Sequence, residues 1–574
     1  MSITVERNVP IPMRDGTILK AELFLPAGGP APALLQRTPY DKTLLPLATL
    51  VADPLRLAEA GYAVVIQDVR GRYASGGEFR PFEHDGEDGY DTVEWCAAQA
   101  WSDGNVGMYG ASYPGLLQLQ TAALRPPHLR AIAPAATGAD LYDHWLYPGA
   151  AFALGFGLSW STLALAPNAL ARRASSVEAL ASSLAVALDG VDALPGALSR
   201  LPLRPASDDP IARVAPWYGE WLDHPARDEY WRARGALDDL AEANVPMFFT
   251  GGWYDVFLGG TLASYARRLA GRVGPHHDRL LIGPWFHGFP WLDGPVGEVG
   301  FGARASGRVI DHQGMQIRWF DRWLKGREAG NDAPVRIFVM GRNEWRDEQE
   351  WPLQRATPTF YYLHSRGSAN TAAGDGFLSP ELPSDEPPDT YVYDPRDPTP
   401  TVGGNLCCSQ LALPAGAYDQ RRVEARPDVL CYTTSALDAD LEVIGPIQLV
   451  LHASSSAADT DFCGKLVDVH PDGTAVNLCD GIVRARYRAD RAAPEPLEPG
   501  RAYEFTIDLW ATANVFRRGH RIRIEVASAN YPRFNRNPNT GGSLADETEQ
   551  VPARQRVFHD AVRPSRVVLP VLPA

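Results

Sequence analysis

The sequence predicts an α/β domain that carries a helical insertion and is followed by a second domain built of β-strands. Three observations lead to this fold class. Short apolar runs alternate with helical patterns from about residue 31 to 290, and a segment rich in Ala and Leu interrupts this alternation between about 145 and 240. After about residue 355, strand-like runs are separated by turns of Pro, Gly and Asp.

Six apolar runs in the first half of the chain predict buried strands of a mostly parallel sheet, because they are apolar on both faces. They are APALLQRTPY (31–40), GYAVVIQDVRG (61–71), NVGMYGASYPG (105–115), LRAIAPAA (129–136), VPMFFTGGWYD (245–255) and RLLIGPWFHG (279–288). Helical patterns such as PGLLQLQTAALR (114–125) lie between them. Such a sheet leaves the loops at the strand carboxyl ends available for chemistry.

The insertion and the carboxyl-terminal region have different patterns. ALARRASSVEALASSLAVAL (169–188) has helical spacing, whereas segments such as IQLVLHASS and YEFTIDLW are typical of a β-sandwich or jelly roll. We therefore expect four segments along the chain. They are the first part of the α/β domain (1–144), a helical cap (145–240), the second part of the α/β domain (241–354) and a jelly-roll domain (355–574).

Composition excludes several classes of function. The 574 residues carry a net charge of −15, which argues against nucleic acid and anionic membranes as partners. No apolar run approaches the length of a membrane span, and the start of the chain shows no signal-peptide pattern, so a cytoplasmic protein is expected. The six cysteines have no metal-binding spacing, and reduced thiols are expected. No P-loop, dinucleotide or zinc motif is present, so neither a cofactor nor a metal is predicted.

Ser112 lies in MYGASYPG (108–115), between an apolar run and a helical pattern. A nucleophile elbow needs this order of strand, tight turn and helix, with small residues around the serine. Pro114 stands where G-x-S-x-G has its second glycine, and proline is tolerated in a first helical turn. A serine in an ordinary loop before a helix would show the same pattern.

An acid and a histidine follow later strands in the order that elbow hydrolases use. Asp255 comes after VPMFFTGG and His287 comes after RLLIGP, so both are expected at the sheet edge where Ser112 lies. Either residue alone would more often be a turn former or a loop histidine. The three together predict a triad in which His287 accepts the Ser112 proton and Asp255 orients the imidazole.

Two donors of an oxyanion hole are expected beside the triad. The backbone N–H of Tyr113, directly after the serine, is the natural first donor. The second usually follows an early strand, where RTPYDK (37–42) places Tyr40. A tyrosine in such a loop more often serves packing, so sequence alone leaves the Tyr40 hydroxyl as one option.

Several long motifs together resemble one family. They are RTPYDK, VVIQDVRGRYASGGEF (64–79), WSDGNVGMYGASYPG (101–115), GGWYD (251–255), GPWFH (283–287), FVMGRNEWRDEQEWPL (338–353) and DTDFCGKLVDVHPDG (459–473). The chain is similar along its whole length to serine hydrolases of the X-prolyl dipeptidyl aminopeptidase, or CocE/NonD, family, and within it to cocaine esterases. The resemblance implies an α/β-hydrolase domain with a helical cap and a jelly-roll domain. It also implies Ser112, Asp255 and His287 as triad, with Tyr40 and Tyr113 as oxyanion donors.

The resemblance to cocaine esterases also implies an aromatic acyl pocket. Trp145, Trp160 and Phe257 stand at the matching places, although core packing is the usual role of such rings. Cys407 and Cys408 replace larger apolar residues of those esterases, which predicts a wider pocket on that side. The prediction is therefore a serine ester hydrolase for small molecules with a bulky, aromatic acyl group. A homodimer is expected by analogy with related esterases.

Two alternatives use the same triad. An Xaa-Pro dipeptidyl-peptidase or an α-amino-acid ester hydrolase, including the β-lactam acylases, must hold a protonated amine, which needs carboxylates near the acid. Val256, Phe257 and Leu258 follow Asp255 and supply none. Asp223, Asp228 and Glu229 of the insertion could serve instead, although their spacing equally fits a solvated helix face. The absence of a carboxylate after Asp255 favours the neutral acyl ester.

Overall fold

The computed structural model describes residues 2–44, 52–270, 277–288, 294–328, 330 and 332–573. These residues form two large sheets, one in each half of the chain, with a helical segment inserted into the first half. The arrangement confirms the predicted fold class.

The first sheet has ten strands in the order β1-β2-β4-β3-β5-β6-β7-β8-β9-β10. The strands are β1 (Ile3–Pro12), β2 (Ile18–Pro26), β3 (Ala31–Thr38), β4 (Ala63–Asp68), β5 (Ser102–Ala111), β6 (Leu129–Ala135), β7 (Phe248–Tyr254), β8 (Arg279–Phe286), β9 (Val335–Val339) and β10 (Glu344–Glu348). Strands β3 to β9 pair in parallel, and antiparallel strands extend both edges. Every residue of β3, β4 and β7 is buried, which explains their continuous apolar runs.

Among the residues that the structure describes, three helices precede the insertion and connect strands of this sheet. They are α1 (Pro54–Glu59), α2 (Asp85–Ala97) and α3 (Tyr113–Ala123). Helix α3 begins directly after β5, as the elbow pattern predicts. Its buried residues run almost continuously from Tyr113 to Ala122, because it packs against the sheet on one side and α2 and the insertion on the other.

The segment between β6 and β7 is helical. Its α-helices are α4 (Leu154–Ser159), α5 (Ala166–Arg173), α6 (Val177–Asp192), α7 (Leu194–Ser199), α8 (Pro210–Val214), α9 (Pro216–Asp223) and α10 (Glu229–Arg232). Two π-helical turns, Tyr142–Leu146 and Trp160–Leu165, lie among them. The run predicted from 169 to 188 forms two helices rather than one, because the Ser176 hydroxyl accepts the amide of Ala179 and starts α6.

After the insertion, α11 (Leu258–Leu269) follows β7 and α12 (His312–Lys325) follows β8. The second sheet has eleven strands, mostly antiparallel, in the order β13-β20-β15-β21-β11-β12-β14-β19-β16-β17, with β18 paired to β15. They are β11 (Thr357–His364), β12 (Phe377–Ser379), β13 (Asp389–Tyr393), β14 (Leu430–Thr433), β15 (Leu441–Ser455), β16 (Asp461–Val469), β17 (Ala475–Arg484), β18 (Tyr503–Phe516), β19 (Arg521–Ala527), β20 (Ala553–Phe558) and β21 (Arg566–Val571). A short helix, α13 (Arg421–Glu424), precedes β14.

Two buried apolar clusters matter for the site. One runs from the first sheet into the jelly roll without a break, and the Met340 amide donates to the Ala513 carbonyl across this boundary at 2.9 Å. The other joins α3, the insertion and the jelly-roll loop that contains Cys407. The jelly roll therefore packs against the half of the chain that contains the first sheet. Within the described ranges, none of the helices has the length and apolar character to cross a membrane.

Candidate active site

Ser112 lies on a sharp turn between β5 and α3. Its backbone has φ 62° and ψ −127°, a combination that costs energy for any residue with a Cβ. The Ser112 amide donates to the Ala135 carbonyl at 2.9 Å, and its carbonyl accepts the amides of Gly115 and Leu116. These bonds hold the strained turn and direct the serine side chain to the carboxyl edge of the sheet.

Two glycines make the turn possible. A Cβ on Gly110 would lie 2.6 Å from Cβ of Pro114, and one on Gly115 would lie 2.8 Å from Cγ2 of Thr137. Gly110 also has φ +145°, which side chains rarely adopt. Proline at position 114 therefore departs from G-x-S-x-G without changing the need for small residues around it.

The structure brings Ser112, His287 and Asp255 together. Nε2 of His287 lies 3.1 Å from Oγ of Ser112, and Nδ1 lies 3.0 and 3.2 Å from the two carboxylate oxygens of Asp255. The Asp255 side chain is buried, whereas His287 keeps a small exposed surface. A neutral imidazole in this position can accept the serine proton at Nε2 while donating Nδ1–H to the carboxylate.

Asp255 is fixed from two sides. Its Oδ1 accepts the amide of Phe257 at 2.7 Å within its own loop. Asn405, on a loop of the jelly-roll domain, donates its side-chain amide to the carbonyls of Trp253 (3.0 Å) and Asp255 (2.8 Å). Asn405 is fully buried. Sequence reasoning missed Asn405, although it lies in GGNLCCSQ, the loop that was already singled out for its two cysteines.

Tyr40 lies beside Ser112. Nε1–H of Trp160 donates to the Tyr40 hydroxyl oxygen at 2.9 Å, so the hydroxyl hydrogen is left to donate elsewhere. Burial raises the pKa of Tyr40 to about 12, against the opposing effect of its hydrogen bonds with Trp160 and Ser112. The phenol therefore stays neutral and able to donate across the ordinary pH range.

Tyr113 presents its backbone N–H at the start of α3, and its side chain is buried. The phenol donates to Oδ2 of Asp85 at 2.5 Å and accepts the amide of Phe82 at 3.0 Å. Burial, reinforced by the neighbouring Asp85 charge, raises the pKa of Tyr113 well above its usual range. This buried anchor holds the residue whose amide faces the reacting carbonyl in an elbow hydrolase.

Trp145, Trp160 and Phe257 belong to one buried apolar cluster. Ring centroids of Trp145 and Phe257 are 4.0 Å apart, and Phe257 meets the His287 ring edge-on at 5.1 Å. The same cluster includes further rings that sequence reasoning did not single out, among them Phe82, Phe156 and Trp221. The aromatic cluster thus extends from His287 to Trp160, the hydrogen-bond partner of Tyr40.

The structure corrects the expectation of six reduced thiols. Cys407 and Cys408 are joined by a disulfide, whereas Cys96, Cys431, Cys463 and Cys479 are free and buried. Neighbouring Cα atoms are only 3.8 Å apart, and a local turn with positive φ at Cys408 lets the two sulfurs meet. Motif spacing gave no sign of this pairing. Cys407 lies in the aromatic cluster, but the Cys408 residue is exposed.

The structure does not bring the insertion acids to Ser112. Asp223 pairs with Arg204 at 2.7 Å, Asp228 pairs with His224 at 2.5 Å, and Glu229 pairs with Arg232 at 3.1 Å. Asp228 also caps α10 by accepting the Tyr230 amide. Asp223 and Glu229 are exposed, so the solvated-face interpretation accounts for these acids.

Fold and site geometry define a serine hydrolase built on the α/β-hydrolase sheet. Residues 15–289 match the family described as X-Pro dipeptidyl-peptidase (S15 family), and residues 328–568 match its C-terminal non-catalytic domain. The chain belongs to the X-Pro dipeptidyl-peptidase S15 family.

The proteins to which the chain is similar include both esterases and peptidases. The chain is 43% identical over 580 residues to a cocaine esterase of Rhodococcus sp. (strain MB1 Bresler), covering 99% of both chains. Its structure is similar to an aminopeptidase of a marine sediment Thaumarchaeota archaeon (TM-score 0.82, 25% identity, 100% and 97% of the two chains). It is also similar to an α-amino acid ester hydrolase (TM-score 0.81, 26% identity, 99% and 96%). The chain is a hydrolase, and serine esterase is the function that fits its 43% identical relative.

Proposed function

We propose that Ser112 is the nucleophile of a carboxylic-ester hydrolase that passes through an acyl-enzyme. The observation that carries this proposal is the 3.1 Å approach of His287 Nε2 to Ser112 Oγ, with Asp255 behind the ring. Ser112 Oγ attacks the ester carbonyl while its proton passes to His287 Nε2. The same proton then passes to the departing alcohol, which leaves the acyl group on Ser112. A water molecule, deprotonated by His287, attacks this acyl-enzyme and releases the acid.

Charge that develops on the carbonyl oxygen during both attacks is stabilised by two donors, the Tyr40 hydroxyl and the Tyr113 amide. Tyr40 is suited to this role because its hydroxyl oxygen accepts the N–H of Trp160, so the hydroxyl hydrogen can donate to the substrate. The phenol pKa of about 12 keeps that hydrogen in place.

The acyl group that this site accepts is bulky, neutral and aromatic. The aromatic residues Trp145, Trp160 and Phe257 adjoin the triad and provide flat apolar walls. An α-ammonium group would need a buried carboxylate, and the three insertion acids are engaged with basic side chains at or near the surface. Leaving such a charge unpaired in an apolar pocket would cost several kcal/mol. Cocaine esterase-like substrates fit this description.

Covalent labelling tests the nucleophile. A fluorophosphonate should add one label per chain, on the peptide containing Ser112, and Ser112→Ala should remove both labelling and turnover. Loss of a triad member lowers kcat on the order of 10⁴-fold or more. Ser159→Ala is a matched control, because that buried serine lies in α4 and its hydroxyl donates to the Gly155 carbonyl. A label elsewhere, or near-normal turnover in Ser112→Ala, contradicts the assignment.

The substrate class is tested with two esters that share one leaving group, a benzoyl ester and a phenylglycine ester. The proposal expects the larger kcat/KM for the benzoyl ester. A tenfold preference for the phenylglycine ester, about 1.4 kcal/mol, would favour the α-amino-acid ester hydrolase function instead. Rapid cleavage of Xaa-Pro anilides would favour the dipeptidyl-peptidase function.

Three further expectations accompany the proposal. The chain is expected to form a homodimer and to act in the cytoplasm, without nucleic acid as a partner. The domain limits 1–144, 145–240, 241–354 and 355–574 also stay predictions. Light scattering during size-exclusion chromatography measures the oligomeric state, and limited proteolysis tests the limits by the positions of its first cuts.

A further inference from the structure

Three side chains of the jelly roll converge far from Ser112 in the sequence: Asp468, His470 and His520. Their ligand atoms all lie within 4.8 Å of one another. Nδ1 of His520 lies 2.8 Å from Oδ1 of Asp468, and the two imidazole rings are 4.5 Å apart between centroids. Asp468 is buried, whereas both histidines are half-buried, so the cluster opens to solvent on one side.

Sheet geometry accounts for the convergence. Asp468 and His470 are two residues apart at the end of β16, and alternate residues of a strand share a face. Strands β16 and β19 pair with Val469 opposite Arg521, so the same register continued by one residue places His470 opposite His520. The turn after β16 is closed by the His470 amide on the Thr474 carbonyl at 2.8 Å. The backbone therefore presents all three side chains together.

We propose that Asp468, His470 and His520 form a binding site for a divalent first-row transition metal, with zinc as the expected ion. Two imidazole nitrogens and one carboxylate oxygen are a ligand set that zinc accepts, and the open side leaves room for water as a further ligand. Tetrahedral zinc with bonds of about 2.0–2.1 Å needs ligand atoms about 3.3 Å apart. The ligand atoms, which lie within 4.8 Å of one another, would have to adjust to this spacing when the ion binds.

An ordinary Asp468–His520 ion pair is the competing explanation, and it does not need His470. Among the described residues, the His470 ring finds no hydrogen-bond partner and instead packs against His520. A second imidazole held beside an already paired carboxylate is what a three-ligand site requires. The two explanations therefore differ in what His470 does.

Cobalt serves as the spectroscopic probe. Untagged full-length protein is treated with a chelator, dialysed and titrated with Co²⁺, whose visible absorption reports coordination by nitrogen and oxygen ligands. We expect saturation at one equivalent, reversal by Zn²⁺, and one zinc per chain by elemental analysis after dialysis. His470→Gln should weaken binding at least tenfold and abolish the increase in thermal midpoint that Zn²⁺ causes in the unaltered chain.

His452→Gln is the matched control, because His452 is a jelly-roll histidine paired with Glu504 and lies outside the cluster. It should bind Co²⁺ as the unaltered chain does. The proposal is overturned if no saturable band forms, or if His470→Gln binds as tightly as the control. His470 lies in a half-buried turn, so this variant tests the site even where His520→Gln or Asp468→Asn fails to fold.

Discussion

The side-chain amide of Asn405 donates to the backbone carbonyl of Asp255 at 2.8 Å, which links a jelly-roll loop directly to the residue proposed as the acid of the triad. The same amide donates to the Trp253 carbonyl at 3.0 Å, so one side chain binds the backbone on both sides of Tyr254, where β7 ends. The carboxyl-terminal domain therefore does more than cover the α/β half. It helps to set where the Asp255 carboxylate meets His287.

Asn405→Ala should lower kcat by about 10–100-fold, because small displacements of a catalytic group have effects of this order. The Trp253 and Asp255 carbonyls would each lose one hydrogen bond, although the Asp255 carbonyl keeps the Leu258 amide at 3.0 Å. Each lost bond costs about 0.5–1.5 kcal/mol in stability. Steady-state kinetics and the thermal midpoint measure the two effects, and KM should change less than kcat. Asn405→Asp should lower both kcat and the thermal midpoint further than Asn405→Ala, because it places a carboxylate against two carbonyl oxygens.

Asn370→Ala is the control for Asn405. Asn370 also donates its side-chain amide to two backbone carbonyls, those of Thr390 and Pro427, but entirely within the jelly roll. Its loss should lower the thermal midpoint and leave kcat nearly unchanged. Equal losses of kcat in both variants would mean that Asn405 acts only through general stability.

Tyr40→Phe should lower kcat by about 10²–10³-fold, the usual effect of removing one oxyanion donor. The ring stays in place and only the hydroxyl is lost. Because burial raises the pKa of Tyr40 to about 12, the phenol is protonated below that pH, and its ionisation should cause no loss of activity up to about pH 10. Kinetics of the unaltered chain from pH 7 to 10 test this part.

Tyr147→Phe controls for the loss of a buried hydroxyl. The Tyr147 hydroxyl donates to the Trp221 carbonyl at 2.9 Å within the same aromatic cluster. Its removal should cost stability and leave kcat close to normal. Near-normal kcat in Tyr40→Phe would show that the Tyr40 hydroxyl is not part of the oxyanion hole.

Gly110→Ala should abolish or greatly slow fluorophosphonate labelling of Ser112. The new Cβ would lie 2.6 Å from Cβ of Pro114, so the turn that carries the serine must shift. Gly104→Ala is the control within the same strand. Gly104 also has positive φ (+87°), but nothing lies within 4 Å of its added Cβ. It should lower stability by about 1 kcal/mol and label at the normal rate. Equal labelling in the two variants would contradict a strained elbow.

Sequence patterns predict the first sheet well because its buried strands leave continuous apolar runs. The positions of Ser112, Asp255 and His287 follow from the same runs, since each lies at or just beyond the end of a predicted strand. Their roles rest on the proposal above.

Contacts that depend on the folded path of the backbone could not be predicted in this way. Asn405 lies 150 residues from Asp255 in the sequence, and its partners are backbone carbonyls, which carry no sequence signal. The Asp468–His520 contact spans 52 residues and depends on the pairing of β16 with β19. The Cys407–Cys408 disulfide depends on a local backbone turn rather than on a spacing rule.

Phe257→Ala should shift acyl preference towards larger rings. Phe257 is fully buried between Trp145, with centroids 4.0 Å apart, and the His287 ring. Truncation leaves a cavity beside His287 and costs about 3–5 kcal/mol in stability. If Phe257 limits the acyl pocket, the ratio of kcat/KM for a naphthoyl ester to that for the matching benzoyl ester should rise at least tenfold. The ratio within one preparation cancels any loss of folded protein.

Phe249→Ala provides the comparison for this last variant. Phe249 is equally buried, but it packs edge-on against Tyr265 in the core of the first sheet. Its loss should lower the thermal midpoint to a similar degree and leave the naphthoyl to benzoyl ratio unchanged. An unchanged ratio in Phe257→Ala would mean that this ring serves packing alone, and the acyl wall would then have to be sought among Trp145, Trp160 and Phe156.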